Sequence, residues 1–180
     1  MCLFFITGNK GKFEEVKAEL SLVNQFNIDL PEIQEIDSRK IIKSKLLEAL
    51  KYKKAEFIVE DTSLYLDCLN GLPGPLIKWF LASIGDKGIY ELTRKFKNND
   101  AQAKTIFGYA ENENKIHFFE GIVSGSIVLP QGKRGFGWDR IFLPDGHKKT
   151  FAQMSIDEKN GISMRRIALD KLKHFLDAKQ

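Results

Sequence analysis

Cysteine is scarce in this 180-residue chain, which carries only Cys2 and Cys68. With no Cys-x-x-Cys, neither a disulfide framework nor a thiolate zinc site follows. The three histidines, His117, His147 and His174, are too widely spaced to form a ligand pattern. Long apolar runs are missing. Leu3-Phe-Phe-Ile6 is too short for a signal-peptide core, and no charged region precedes it. No stretch approaches the length of a membrane span, so a cytoplasmic protein with no membrane partner is expected. Neither sign of charge dominates: the net charge is +4 and the pI about 8.9. That balance suits an anionic small molecule and is too mild to argue for nucleic acid. Repeats, low-complexity tracts and linkers are absent too. What remains, 43% hydrophobic and 29% charged residues, is the composition of an ordinary folded chain. Its length allows one domain over 1–180, with room for two lobes.

Cys2 to Thr7 predicts a buried first strand. Gly8-Asn-Lys-Gly-Lys12 breaks it, and a helix is expected from about Phe13, with Phe13, Val16 and Leu20 on one face. The glycine-bearing segment therefore precedes a helix N-terminus, where backbone N–H groups and the helix dipole favour anions. It is not a P-loop: two residues, not four, separate Gly8 from Gly11, and Phe13 stands where Ser or Thr would. A structural turn and a phosphate cradle both stay open, with Asn9 and Lys12 favouring the cradle.

Residues 24–40 read as irregular, with a short strand near Phe26–Leu30, and Ile41–Lys54 as an amphipathic helix. The apolar run Phe57–Val59 predicts a strand ending in two acids, Glu60 and Asp61, followed by Thr62, Ser63 and a turn at Gly71-Leu-Pro-Gly-Pro75. Acids at a strand end can build a site in an open α/β sheet, or mark the exit to solvent. Alternation along a strand points Glu60 and Asp61 to opposite faces. Leu76–Ile84 is apolar and Gly85 a plausible helix terminator, with a further helix over Gly88–Phe96. Gln102–Ala110 and Ile116–Leu129 predict an antiparallel hairpin, with bends expected at Gly121 and Gly125. In Gly135-Phe-Gly-Trp-Asp139 the two aromatics either stack on a base or plug the core. Ser155-Ile-Asp-Glu158 forms a capping box for a last helix packed through Ala168, Leu169, Leu172, Phe175 and Leu176.

Four stretches stand in order: Thr7-Gly-Asn-Lys-Gly-Lys12; Val59-Glu-Asp-Thr-Ser-Leu64 with Gly71-Leu-Pro-Gly-Pro75 and Ile77-Lys-Trp-Phe80; Gly135-Phe-Gly-Trp-Asp139; and Lys149-Thr-Phe-Ala-Gln-Met154 leading to Glu158-Lys-Asn160 and Ser163-Met-Arg165. Together, from Ile6 to Leu176, they resemble the inosine triphosphate pyrophosphatase family. The resemblance implies an α/β fold, an elongated central mixed β-sheet with two α/β lobes flanking a deep active-site cleft. It implies a homodimer and Mg²⁺-dependent cleavage of a non-standard purine nucleoside triphosphate to monophosphate and pyrophosphate. It implies that Thr7, Gly8, Asn9, Lys10, Gly11 and Lys12 hold the triphosphate, joined by Lys45. Glu32 and Asp61 would hold the metal, Asp61 also serving as general base, with Glu60 in support and Thr62 touching the nucleotide. Phe136, Gly137, Trp138 and Asp139 would grip base and sugar, and Lys159, Met164 and Arg165 would complete the pocket.

Two positions depart from the family pattern. Met164 replaces a histidine that hydrogen-bonds the 6-oxo purine, and a thioether cannot donate. Changed or relaxed base selectivity is therefore the alternative expectation. Arg140 stands where the family usually has Pro, altering loop stiffness or adding a basic contact. A reading from a different class is a catalytically silent nucleotide-binding protein; retention of Asn9, Lys12, Glu32 and Asp61 argues against it.

Overall fold

Three long antiparallel strands carry the molecule: β3 (Glu56–Leu66), β5 (Asp100–Asn112) and β6 (Lys115–Ile127). The computed structural model describes residues 2–179. Two short parallel strands, β1 (Leu3–Ile6) and β2 (Asn24–Phe26), extend the sheet on the β3 side, and β7 (Phe142–Pro144) closes the other edge. The order is β2-β1-β3-β5-β6-β7, with the two-residue β4 (Pro73–Gly74) paired to β3. The helices are α1 (Lys10–Glu19), α2 (Ser38–Tyr52), α3 (Ile77–Phe96), α4 (Ile156–Ile162) and α5 (Met164–Asp177). The expected mixed α/β sheet is present. Among the described residues no helix is long and apolar enough to cross a membrane.

The strand expected to end at Val59 runs on to Leu66. Its second half pairs residue by residue with β5, from Glu60↔Phe107 to Leu66↔Ala101, so the polar run 60–63 is inside the ladder. The acids are mid-strand, not at an exit. β1 uses the other edge of β3 as far as Phe5↔Ile58, and β4 takes it up again at Leu64↔Gly74. Between them, residues 60–63 have no strand partner on that edge among the described residues. The sheet therefore carries a gap beside Glu60 and Asp61.

Separate cores flank this gap. Phe5, Val16, Ile58, Phe107, Leu169 and Leu172 pack where α1 and α5 cover one face of the sheet. Ile42, Leu46, Phe57, Val59 and Ile106 pack under α2 on the opposite face. A third cluster, including Leu64, Ile77, Trp138, Phe142, Phe151 and Met164, fills the far end.

Several boundaries differ from expectation for local reasons. α1 starts at Lys10, not Phe13, because Asn9 caps it. β2 lies at 24–26, before the expected position, where it pairs with β1. Gly85 ends one helical stretch, as expected: its φ of 68° and ψ of 178° break α3, and a second helical stretch follows within the same element. The last helix is two: Ser163 closes α4 and caps α5. The hairpin glycines mark close approaches, not bends. A Cβ on Gly121 would lie 2.0 Å from the Met164 carbonyl oxygen, and one on Gly125 would lie 2.4 Å from that of Leu143.

Candidate active site

The gap in the sheet collects the polar residues. Where β1 ends, Thr7 Oγ1 accepts from the Asn9 N–H at 3.1 Å, and Asn9 Oδ1 accepts from the Lys12 N–H at 3.0 Å. These bonds shape the turn and cap α1. The first-turn amides of Lys10 and Gly11 have no carbonyl behind them, and Gly8, Asn9, Lys10 and Gly11 are exposed. Free amides at a helix N-terminus beside Lys12 form an anion-binding corner.

Alternation along β3 separates the two acids. Glu60 faces α1 and α5. Arg165 donates to it through Nε (2.8 Å) and Nη2 (3.1 Å), Lys12 Nζ lies 2.8 Å away, and Thr62 Oγ1 donates at 3.0 Å. Arg165 also reaches Glu15 at 2.8 Å. Burial alone would raise the Glu60 carboxyl, but Arg165 and Lys12 outweigh it and hold it well below the usual carboxylate range. Glu60 is thus a fixed, saturated anion. Thr62 shares its hydroxyl with Glu60 and buried Thr105, and Arg165, 5% exposed, spends its donors on acids.

Asp61 faces α2. Ser63 Oγ donates to its Oδ2 at 2.8 Å, and Ser38 Oγ lies 3.0 Å from Ser63 Oγ. Burial pushes the Asp61 carboxyl up, and the Ser63 and Ser38 hydrogen bonds with the Lys45 and Lys12 charges offset this only in part. A carboxylate with raised pKa beside a gap is suited to accept a proton. Lys45 ion-pairs with Glu32, so Glu32, Lys45 and Asp61 share one side of the sheet. Among the described residues no three ligating side chains form a metal cage. Two carboxylates around an ammonium are an incomplete donor set. A hard divalent cation that also takes waters and phosphate oxygens fits it.

Across the gap, the 135–139 loop closes on Asp139. Its Oδ2 accepts from the Phe136 N–H at 3.0 Å and from Lys159 Nζ at 2.6 Å. A Cβ on Gly135 would lie 2.0 Å from that oxygen, and its φ of 74° favours glycine as well. Lys159 also lies over the Phe136 ring at 5.4 Å. Phe136 is 54% exposed and free to stack, whereas Trp138, at 6%, packs edge-on to Phe142. For Trp138 the core reading prevails, because three aromatic rings fill that corner. Met164 is 3% exposed and belongs to the same apolar cluster. Arg140 pairs with Asp86 at 3.1 Å, tying the loop to α3. Gly137 lies within this loop at φ 62°.

The sequence did not single out Ser38, Gln34, Lys78 or Trp79. Lys78 and Trp79 line a cavity of about 170 Å³ together with Glu32 and Gln34. The only signal for them was the run Ile77-Lys-Trp-Phe80, which carries no separation between core and site.

The chain is similar to known proteins along nearly its whole length. Inosine triphosphate pyrophosphatase from Schizosaccharomyces pombe is 42% identical over 182 aligned residues, covering 99% of this chain and 96% of that protein. Inosine triphosphate pyrophosphatase 1 from Trypanosoma cruzi is 45% identical over 176, covering 94% and 90%. The structure of a HAM1 protein from Coxiella burnetii superposes with a TM-score of 0.88 at 25% identity, covering 99% of this chain and all of that one. With residues 3–175 matching the Ham1 family profile, this chain belongs to the Ham1 family.

Proposed function

We propose that the protein hydrolyses non-standard purine nucleoside triphosphates such as ITP, dITP and XTP to the monophosphate and pyrophosphate, cleansing the nucleotide pool. The observation that carries this is Asp61: a carboxylate of raised pKa, set beside Glu32, Lys45 and a helix N-terminus in the sheet gap. The names of the two relatives, inosine triphosphate pyrophosphatases, support ITP as a substrate.

The Lys10 and Gly11 amides and the Lys12 and Lys45 ammonium groups bind the triphosphate and offset its charge. Thr7, Gly8 and Asn9 shape that cradle. Mg²⁺, held by Glu32 and Asp61, would neutralise phosphate charge and acidify a water. Asp61 takes the proton of the attacking water as the bond between the α- and β-phosphate groups breaks and pyrophosphate leaves. Glu60 keeps Lys12 and Arg165 in place. Phe136 stacks on the base, with Asp139 and Lys159 fixing the ring's loop. Thr62, Gly137, Trp138, Met164 and Arg165 support the pocket from its walls. The reading includes a single two-lobed domain over 1–180 that forms a homodimer in the cytoplasm.

Pyrophosphate release from ITP, XTP, ATP and GTP with Mg²⁺ is the test. Release from ITP and XTP above ATP is expected; release from none of them sinks the proposal, and tight binding without turnover would identify a silent nucleotide-binding protein. A second reading, relaxed base selectivity, is supported by Met164, whose buried thioether offers no donor to a 6-oxo group. Comparable rates on all four triphosphates select it.

A further inference from the structure

We propose that Trp79 is a positioning residue that sets the place of Glu32 through the side chain of Gln34. The inference rests on the reading of Glu32 as a metal ligand. Glu32 lies in residues 27–37, which belong to no helix or strand. Such a segment has few fixed backbone bonds, so its orientation depends on side-chain anchors. Leu30 anchors one end by burial. The Glu32 side chain pairs with Lys45, and a further anchor, acting on the backbone, comes from across the gap. The Trp79 indole N–H donates to Gln34 Oε1 at 2.6 Å, and Gln34 Nε2 donates to the backbone carbonyl of Glu32 at 3.4 Å. The Gln34 carboxamide therefore connects the indole to the peptide that carries Glu32.

Trp79 is a rigid post for this purpose. It stands in the first turn of α3, a turn fixed by Ile77, two residues before it, which is buried in the far-end core. Trp79 is 53% exposed and lies outside the apolar clusters, and its indole N–H is spent on Gln34. An indole N–H is a donor only, and it selects the carbonyl end of Gln34. That choice leaves the amide end facing Glu32. The contact spans 45 positions in sequence and ties the segment on the β1 side of the gap to the helix after β4.

Trp79→Phe keeps a ring and removes the donor; Gln34→Leu removes the connecting amide. Cleavage by a glutamate-specific protease, which can cut after Glu32 and Glu35, is measured on the metal-free protein, without nucleotide. In Trp79→Phe, cleavage within 30–36 should be about three- to tenfold faster, the range set by one lost hydrogen bond, with no faster cleavage in β3 or α2. With ITP saturating, the Mg²⁺ concentration for half-maximal rate should rise by a similar factor while kcat at saturating Mg²⁺ stays within about twofold. Gln34→Leu should do the same, and the double variant should be no worse than either single one. Unchanged cleavage within 30–36, additive effects of the two substitutions, or a fall in kcat with the Mg²⁺ requirement unmoved each overturn the proposal. If the wild-type protein releases no pyrophosphate, the functional reading fails separately, and the cleavage comparison still decides whether Trp79 holds the segment.

Discussion

Asp61 and Glu60 are neighbours with opposite electrostatics. Asp61 has burial that nearby donors do not fully offset, so the folded state favours its neutral form. Asp61→Asn should therefore abolish turnover yet leave the protein at least as stable at pH 7, checked by pyrophosphate release and thermal melting. As base, Asp61 must be ionised, so kcat/KM should fall as pH drops through its raised pKa. Ser63→Ala removes a donor to the carboxylate. The acid limb should move to higher pH, and an unmoved limb would remove Asp61 from the base role. Glu60 behaves oppositely. Its folded pKa is depressed, so its stabilisation is complete above the unfolded carboxylate value of about 4.3 and is lost as pH falls towards the lower folded value. Glu60→Gln leaves Arg165 and Lys12 facing a neutral group, and should cost about 3–5 kcal/mol in denaturant unfolding at pH 7. Alternation along a strand was enough to separate the two acids from sequence. That Arg165, 105 positions away, saturates Glu60 was not legible, because ion pairing across a fold leaves no local pattern.

Among elements, those with their own periodicity were legible: the β5–β6 hairpin, the α2 face and the Ser155–Glu158 capping box, which forms with both reciprocal bonds. Local pattern misleads where a neighbour decides the outcome. The four polar residues after Val59 read as the end of β3, yet β5 supplies them with ladder partners. Gly121 reads as a bend, yet its reason lies on another element, the start of α5. This packing is testable. In Gly121→Ala the methyl would meet the Met164 carbonyl oxygen and the Ala168 nitrogen, which are backbone atoms and cannot rotate away. α5 must lift from the sheet, and a loss of about 1–3 kcal/mol in unfolding free energy is expected. Arg165 follows Met164 on that helix, so the ITP KM should rise as well. A stable variant with unchanged KM would separate α5 docking from the site.

At the scale of the molecule, the long strands β3, β5 and β6 run past both sides of the gap. The phosphate-side residues Lys12, Lys45 and Asp61 come from elements before the gap, and Phe136, Asp139 and Lys159 from loops and helices beyond it. The four sequence stretches were legible as an ordered set; their convergence on one gap was a property of strand pairing and became visible only with the register. A nucleotide that bridges the gap should engage both sides, whereas inorganic triphosphate should engage only the first. A ligand at 100 times its Kd stabilises by about 2.7 kcal/mol, which for a chain of this size raises Tm by about 5–11 °C. With Mg²⁺, an α,β-imido analogue of ITP at that concentration should produce such a shift. Phe136→Ala removes the exposed ring without touching the phosphate side. At fixed ligand concentrations, it should reduce the shift produced by the nucleotide and leave that of triphosphate intact. Equal reduction of both shifts would place Phe136 in the folding of its loop, and reduction of neither would place the base elsewhere.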